Sequence, residues 1–233
     1  MQTELITRHL KIDVARPPIR GVYAITNDES DTAKLIFQAR EALAGGVRLV
    51  QYRNKSASKT LAREQASALR NLTAAAGALL IVNDDIDLAM AISADGVHLG
   101  RDDGIDGTLN DLSSIRRRAR QKTSGQFLIG LSCYNDFSRA SAACEAGVDY
   151  IAFGSFFPSL TKPTAIRADV SLIRDAKQRF RQPVVVIGGI TLENAPQLIA
   201  AGADSVAVIS SLFDTDDIRS RANLLSSLFP EYV

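Results

Sequence analysis

Residues 145–154 read EAGVDYIAFG: the small residues that close a helix, a glycine, then an apolar run rich in β-branched and aromatic side chains. The same order returns as AGGVRLVQY at 44–52, SADGVHLG at 93–100 and AAGADSVAVIS at 200–210. In each, a glycine (Gly46, Gly96, Gly147 or Gly202) stands where a helix would end in the left-handed conformation that residues with a Cβ avoid. One such glycine is an ordinary helix cap. Four at near-regular intervals imply four pairs of strand–helix units rather than a doubly wound sheet.

Working outward, apolar runs at 22–26, 47–51, 79–83, 96–99, 127–132, 149–153, 184–187 and 205–209 alternate with helical patterns. Those patterns fall at 31–44, 61–75, 109–121, 138–146, 170–180 and 192–201, and a short IDLAMAIS segment follows Asp85. The expected fold is α/β, a single (β/α)8 barrel of the TIM type over 21–233, preceded by a short N-terminal arm, 1–20. A chain of 233 residues that is 46% hydrophobic and 23% charged can bury a substantial core. Lys+Arg 27 against Asp+Glu 26 gives a net charge of +1, so no global field attracts nucleic acid or an anionic membrane, and any anion must be met locally. Two cysteines, Cys133 and Cys144, are too few for a disulfide framework or a thiolate metal cluster and fit a reducing cytoplasm. Glu4, Arg8, Lys11 and Asp13 interrupt any secretory apolar region, and no stretch approaches the roughly 18 to 20 apolar residues of a spanning helix. The expected partners are small molecules, not nucleic acid or membrane, and the sequence leaves room for a homo-oligomer.

In such a barrel the reactive face lies at the C-terminal ends of the strands. The second run leads into Gln51-Tyr52-Arg53-Asn54-Lys55, and strand alternation would set Gln51, Arg53 and Lys55 on one face, offering an amide and two cations to one ligand. A solvated loop is the plainer alternative. The third run ends in Asn83-Asp84-Asp85 and the fourth precedes Arg101-Asp102-Asp103. Acids on neighbouring strands suit a hard cation such as Mg²⁺, which takes one or two carboxylates and fills its shell with water and phosphate oxygens. Capping of the next helix by Asp84 or Asp85 explains the same residues without a metal.

His98 has no second metal-type histidine nearby and fits a packed, hydrogen-bonded strand-end residue. Ser132 lacks a histidine at any motif spacing, which favours hydrogen bonding over a nucleophilic triad, and Cys133 fits an ordinary buried thiol. The segment GSFFPSLTKP, 154–163, holds Ser159, Thr161 and Lys162 between two prolines, as either a lid over phosphate or a surface loop. Gly188-Gly189-Ile190-Thr191 and Val208-Ile209-Ser210-Ser211 end the last two runs, where barrels commonly hold a phosphate on backbone amides. Arg116, Arg117 and Arg118 fall in a helical pattern and fit a solvated face. Together these features call for two phosphorylated groups, one of them needing a divalent metal.

The motifs GVYAIT, GGVRLVQYRNK, LIVNDDIDLAMAISADGVHLGRDD, IGLSC, DYIAFGSFFPSLTK, VVVIGGIT and DSVAVISS occur in that order. Through them the chain resembles the thiamine-phosphate synthase family over nearly its whole length after the arm. The resemblance implies a (β/α)8 barrel that joins 4-amino-2-methyl-5-pyrimidinylmethyl diphosphate to a thiazole phosphate, forming thiamine monophosphate and releasing pyrophosphate. It implies that Gln51, Arg53, Lys55, Asn83, Ser132 and Lys162 hold the pyrimidine diphosphate, with Arg53, Lys55, Lys162 and Ser132 catalytic. It further implies that Asp84 and Asp103 ligate Mg²⁺, and that Ser159, Thr161, Gly189, Ile209 and Ser210 hold the thiazole phosphate. Two positions depart from the family pattern: Ser155 stands where it usually has a proline and Ser159 where it has a threonine.

The expected chemistry is dissociative. Loss of diphosphate leaves a cation stabilised by the aminopyrimidine, and the thiazole nitrogen attacks without losing a proton, so charge stabilisation and water exclusion outweigh acid–base transfer. A thiazole tautomerase-like isomerase, which would need an acid–base residue, and a non-catalytic phosphate-ligand sensor are the competing readings.

Overall fold

The computed structural model describes residues 19–100, 105–122, 127–158 and 167–229. The strands are β1 (Gly21–Ile25), β2 (Leu49–Tyr52), β3 (Leu79–Asn83), β4 (Gly96–Leu99), β5 (Leu128–Tyr134), β6 (Tyr150–Phe153), β7 (Val184–Ile187) and β8 (Ser205–Val208). All pair in parallel, in sequence order, and β8 returns to β1 to close the barrel. Between them run α1 (Thr32–Ala44), α2 (Lys59–Ala75), α3 (Ile86–Ala91), α4 (Ile105–Lys122), α5 (Phe137–Glu145), α6 (Ser171–Arg179) and α7 (Ala195–Ala200). After β8 come α8 (Ser210–Phe213) and α9 (Ile218–Ser226), which the sequence reading had not marked. Ile218, Ala222 and Leu225 are the buried face of α9, which packs over α1. Among the described residues no helix is long and apolar enough to cross a membrane.

Local chemistry sets several helix starts. Asp31, Ser58, Asp85, Asp136 and Asp217 each accept a backbone N–H of the first turn through the side chain, satisfying donors that a helix leaves without partners. Outside the sheet, helix residues such as Leu35, Leu69, Ile115, Ile173 and Leu198 pack on outward strand residues. Inside the barrel, Tyr23, Leu49, Ile81, Leu128, Tyr150 and Val185 fill the lower layers. Fully burying an aliphatic or aromatic side chain contributes about 1.5–3 kcal/mol, so this interior is a packed core rather than a pore. Ile19, only 1% exposed, joins these interior residues ahead of β1.

The glycine repeat needs one correction. Gly46, Gly147 and Gly202 have positive φ, as expected, but before β4 the left-handed residue is Ser93, at φ 54°. Gly96 is the first residue of β4, where an added Cβ would collide with the Leu128 carbonyl. The repeat therefore survives in backbone conformation with a different residue carrying it.

A second repeat rings the N-terminal end of the barrel. Asp95, Asp149 and Asp204 each precede an even strand, and one oxygen of each takes both a backbone N–H of the preceding odd strand and a cation from the helix that leads into that odd strand. Asp95 Oδ2 meets Leu80 N at 2.8 Å and Arg70 at 2.9 Å. Asp149 Oδ2 meets Ile129 N at 2.7 Å and Arg116 at 2.9 Å, and Asp204 Oδ2 meets Val184 N and Lys177, both at 2.7 Å. Arg116 is thus a structural tie rather than part of a solvated face, and Arg118 pairs with Asp87 on α3.

Candidate functional site

The C-terminal mouth opens into a cavity of about 490 Å³ whose walls differ in kind. From β1, β2, β4 and β5 come the side chains of Tyr23, Gln51, Arg53, His98 and Ser132, while the β7 and β8 ends bring the segments 188–191 and 208–211.

Beneath the mouth the polar side chains form one continuous line across the barrel. Gln51 Nε2 donates to Tyr23 Oη at 2.8 Å, Tyr23 Oη meets Tyr150 Oη at 3.0 Å, Tyr150 Oη meets His98 Nδ1 at 3.0 Å, and His98 Nε2 meets Ser132 Oγ at 2.9 Å. Burial moves the His98 pKa down to about 4, so its imidazole is neutral at physiological pH. The same burial pushes both tyrosine hydroxyls well above their ordinary range, so they stay protonated. The expectation of a packed, hydrogen-bonded His98 holds in these contacts. The Ser132–His98 pair was invisible to motif spacing, because two neighbouring strands of a barrel bring together residues far apart in sequence. Tyr23 and Tyr150 were missed for another reason: they sit inside apolar runs, away from the C-terminal strand ends, and only the period-2 placement of a hydroxyl on the interior face could have marked them.

On the cation-bearing wall, Arg53 follows the end of β2 and lines the cavity. Its Nη1 donates to Asp28 Oδ1 at 3.0 Å, and the same oxygen accepts the Lys55 N–H at 3.0 Å. Thr26 Oγ1 bridges the Arg53 backbone, accepting its N–H and donating to its carbonyl, so the β1 and β2 ends hold one another. Lys55 lies apart from Gln51 and Arg53: it lines a neighbouring groove with Lys59, Arg63, Asp84 and Asp85. β2 ends at Tyr52, and the strict alternation behind the shared-face expectation ends with it. Asn83 borders both the cavity and the groove.

The aspartates after β3 divide their work. Asp85 Oδ1 caps α3 through Leu88 N at 2.8 Å. Asp84, at φ 62°, turns toward the end of β4, where its Oδ1 accepts the Gly100 N–H at 3.2 Å and its Oδ2 accepts from Asn83 Nδ2 at 2.6 Å. An oxygen-only donor of this kind suits Mg²⁺, which needs few carboxylates when substrate supplies phosphate oxygens. Among the described residues no three His, Cys, Asp or Glu side chains gather as a metal cluster. Asp103, Ser159, Thr161 and Lys162 lie outside the described residues.

The opposite wall is built from backbone. Gly188 and Gly189 have φ of 104° and 61°, and a Cβ on either would strike the loop after β6, at Ser155 or at Pro158. That loop is pinned by Phe156 N and Phe157 N donating to the carbonyls of Ile187 and Gly188, and by Ser155 Oγ donating to Phe157 O at 2.9 Å. Asn194 fastens the other side, accepting from Thr191 N and donating to Gly189 O. Ile209 and Ser210 face the same space at the start of α8. Cys133, on the outward side of β5, is fully buried and its thiol is pushed up to about 12, which removes it as a nucleophile.

Comparison with known proteins identifies a family by sequence. The family model described as thiamine monophosphate synthase matches residues 22–212. The thiamine-phosphate synthase of Methylobacillus flagellatus is 47% identical over 224 residues, covering 96% of this chain and all of that protein. That of Thiobacillus denitrificans is 51% identical over 209 residues, 90% of this chain and 94% of its own length. A solved thiamine phosphate pyrophosphorylase from Pyrococcus furiosus superposes with a TM-score of 0.78 at 30% identity, covering 93% of this chain and 98% of that one.

Proposed function

The chain belongs to the thiamine monophosphate synthase family, a family of transferases, and from that footing we propose that it condenses 4-amino-2-methyl-5-pyrimidinylmethyl diphosphate with a thiazole phosphate in an Mg²⁺-dependent reaction. The observation that carries this reading is the unlike pair of walls around one cavity: a guanidinium on one side, glycine-rich main chain on the other. The first suits a departing diphosphate and the second a phosphate monoester.

In this reading Arg53, steadied by Asp28, takes oxygens of the diphosphate and stabilises the charge that grows on it as the methylene–oxygen bond breaks. Lys162 adds charge at the same pole, and Lys55 adds it from the neighbouring groove that Asn83 and Asp84 also border. Gln51, Asn83 and Ser132 orient the pyrimidine, so that its reacting carbon faces the acceptor. Asp84, together with Asp103, would hold Mg²⁺, which when bound neutralises phosphate oxygens as a Lewis acid. Backbone amides at Gly189, Ile209 and Ser210, with Ser159 and Thr161, bind the thiazole phosphate. The apolar side chains around the cavity, among them Ile25, Val185 and Ile187, limit water near the cationic carbon. Small phosphorylated molecules in the cytoplasm are the proposed partners.

The Ser132–His98 contact favours a second reading, a proton-moving isomerase acting on the thiazole phosphate alone. Incubation of the protein with both substrates, with Mg²⁺ and with chelator, separates the two. The expected result is thiamine monophosphate and pyrophosphate with metal and neither without it. A tautomerised thiazole and no condensed product would overturn the proposal.

A further inference from the structure

The polar line under the cavity has a direction, and one amide sets it. Each hydroxyl holds a single proton to donate, whereas an amide NH₂ only donates. With Gln51 Nε2 donating to Tyr23 Oη, the Tyr23 proton turns to Tyr150, and the Tyr150 proton turns to His98 Nδ1. A neutral imidazole that accepts at Nδ1 carries its proton on Nε2, and that proton goes to Ser132 Oγ. The Ser132 proton is then left for the cavity, which Ser132 lines.

We propose that Tyr23 and Tyr150 are positioning residues which, through His98, carry the donor sense of Gln51 across the barrel and make Ser132 a hydrogen-bond donor to an acceptor nitrogen of the substrate's heteroaromatic ring. The role of that ring nitrogen rests on the function proposed above; the direction of the relay does not. Three observations support the relay. Tyr150, Tyr23 and His98 are 0%, 1% and 7% exposed, so bulk water does not compete for their bonds. Gly130 clears the space for the Tyr150 ring, since a Cβ there would collide with it. The His98 ring stacks on Tyr150 with centroids 5.5 Å apart, which holds Nδ1 toward the phenol and Nε2 toward β5. The same direction bars Ser132 from acting as a histidine-activated nucleophile, because an Nε2 that bears a proton cannot take another from the serine.

The sequence has two histidines, His9 and His98, so the ring ¹⁵N signals of the full ligand-free chain are few, and a His9→Gln variant assigns them. The expected spectrum at pH 7 has the His98 proton on Nε2 and a bare Nδ1. In Gln51→Met the amide donor is gone while the chain length is kept, and an Nδ1–H population appears. In Tyr150→Phe the turnover number falls about tenfold or more, the scale of one lost buried hydrogen bond, while KM for the thiazole phosphate moves less than about twofold. An Nδ1–H histidine in the unsubstituted protein overturns the relay even if every variant fails to fold. So does an unaltered tautomer in folded Gln51→Met, and a Tyr150→Phe protein with full turnover overturns the positioning role. An unsubstituted protein that makes no thiamine monophosphate defeats the functional proposal instead, and the tautomer still decides the relay.

Discussion

The two ends of this barrel use aspartate and arginine for opposite purposes. At the N-terminal end, Asp95, Asp149 and Asp204 are each closed by a strand N–H and a helix cation, and the arrangement repeats every second strand. At the mouth, Arg53 is anchored by Asp28 on one side and faces the cavity on the other, and Asp84 bends across to β4 instead of capping its own helix. Closed groups specify how strands and helices meet. Arg53, anchored by Asp28 and open to the cavity, remains able to meet a ligand, and it belongs to the end where barrel chemistry is found.

The sharpest test removes a charge from the mouth. Arg53→Ala should lower turnover by about 10²–10³-fold, the usual loss when one electrostatic donor to a transition state disappears, and leave the melting temperature nearly unchanged. A large loss of stability with normal turnover in the surviving fold would place Arg53 with the closed groups and erase the contrast.

His98 lies between the two ends and links burial to pH. Its folded pKa, about 4, is below the 6.5 of the exposed ring, so between those values the unfolded chain binds the proton and the folded chain does not. Stability is therefore complete above pH 6.5 and declines as pH falls toward 4, by up to about 3 kcal/mol from this group. Urea unfolding at pH 7, 6, 5 and 4, for the unsubstituted protein and for His98→Asn, measures it. Curves that run parallel across that window would mean that the buried imidazole does not titrate as its surroundings dictate.

At the closed end, Asp149→Ala leaves the Ile129 N–H without its acceptor and Arg116 without its carboxylate. The expected cost is about 1–3 kcal/mol in chemical denaturation, with turnover at 25 °C unaffected.

This contrast was only half legible in the sequence. The barrel could be read because strand runs and glycines recur with a period that little else produces, and strand-end chemistry could be read because a barrel places it at one face. Asp95, Asp149 and Asp204 stand in the very repeat that revealed the fold, but at β2 the corresponding residue is Arg48, which donates instead to the carbonyls of Leu43 and Val47. That exchange hides the aspartate pattern. The interior relay was hidden differently. Its members come from β1, β2, β4, β5 and β6, and only closure of the sheet turns separate positions on separate strands into neighbours. Lys55 shows the opposite failure, a period-2 rule carried past the residue where the strand stops.

The smallest effect is expected on α4, where two arginines two positions apart divide along the same line. Arg116 is 29% exposed and reaches Asp149, itself 14% exposed and already bonded to the β5 backbone. Arg118 is 44% exposed and reaches Asp87, which is 83% exposed on α3. Water screens the second pair and both long side chains lose freedom to make it, so Arg118→Ala should change stability by less than about 0.5 kcal/mol. Measured beside Arg116→Ala under the same denaturant conditions, the two variants share a helix and a lost charge and differ in what the carboxylate also holds. Equal costs would mean that burial adds nothing to the Arg116–Asp149 pair; a clear excess for Arg116 ties its strength to that burial and to the Gly147 carbonyl that Arg116 also reaches.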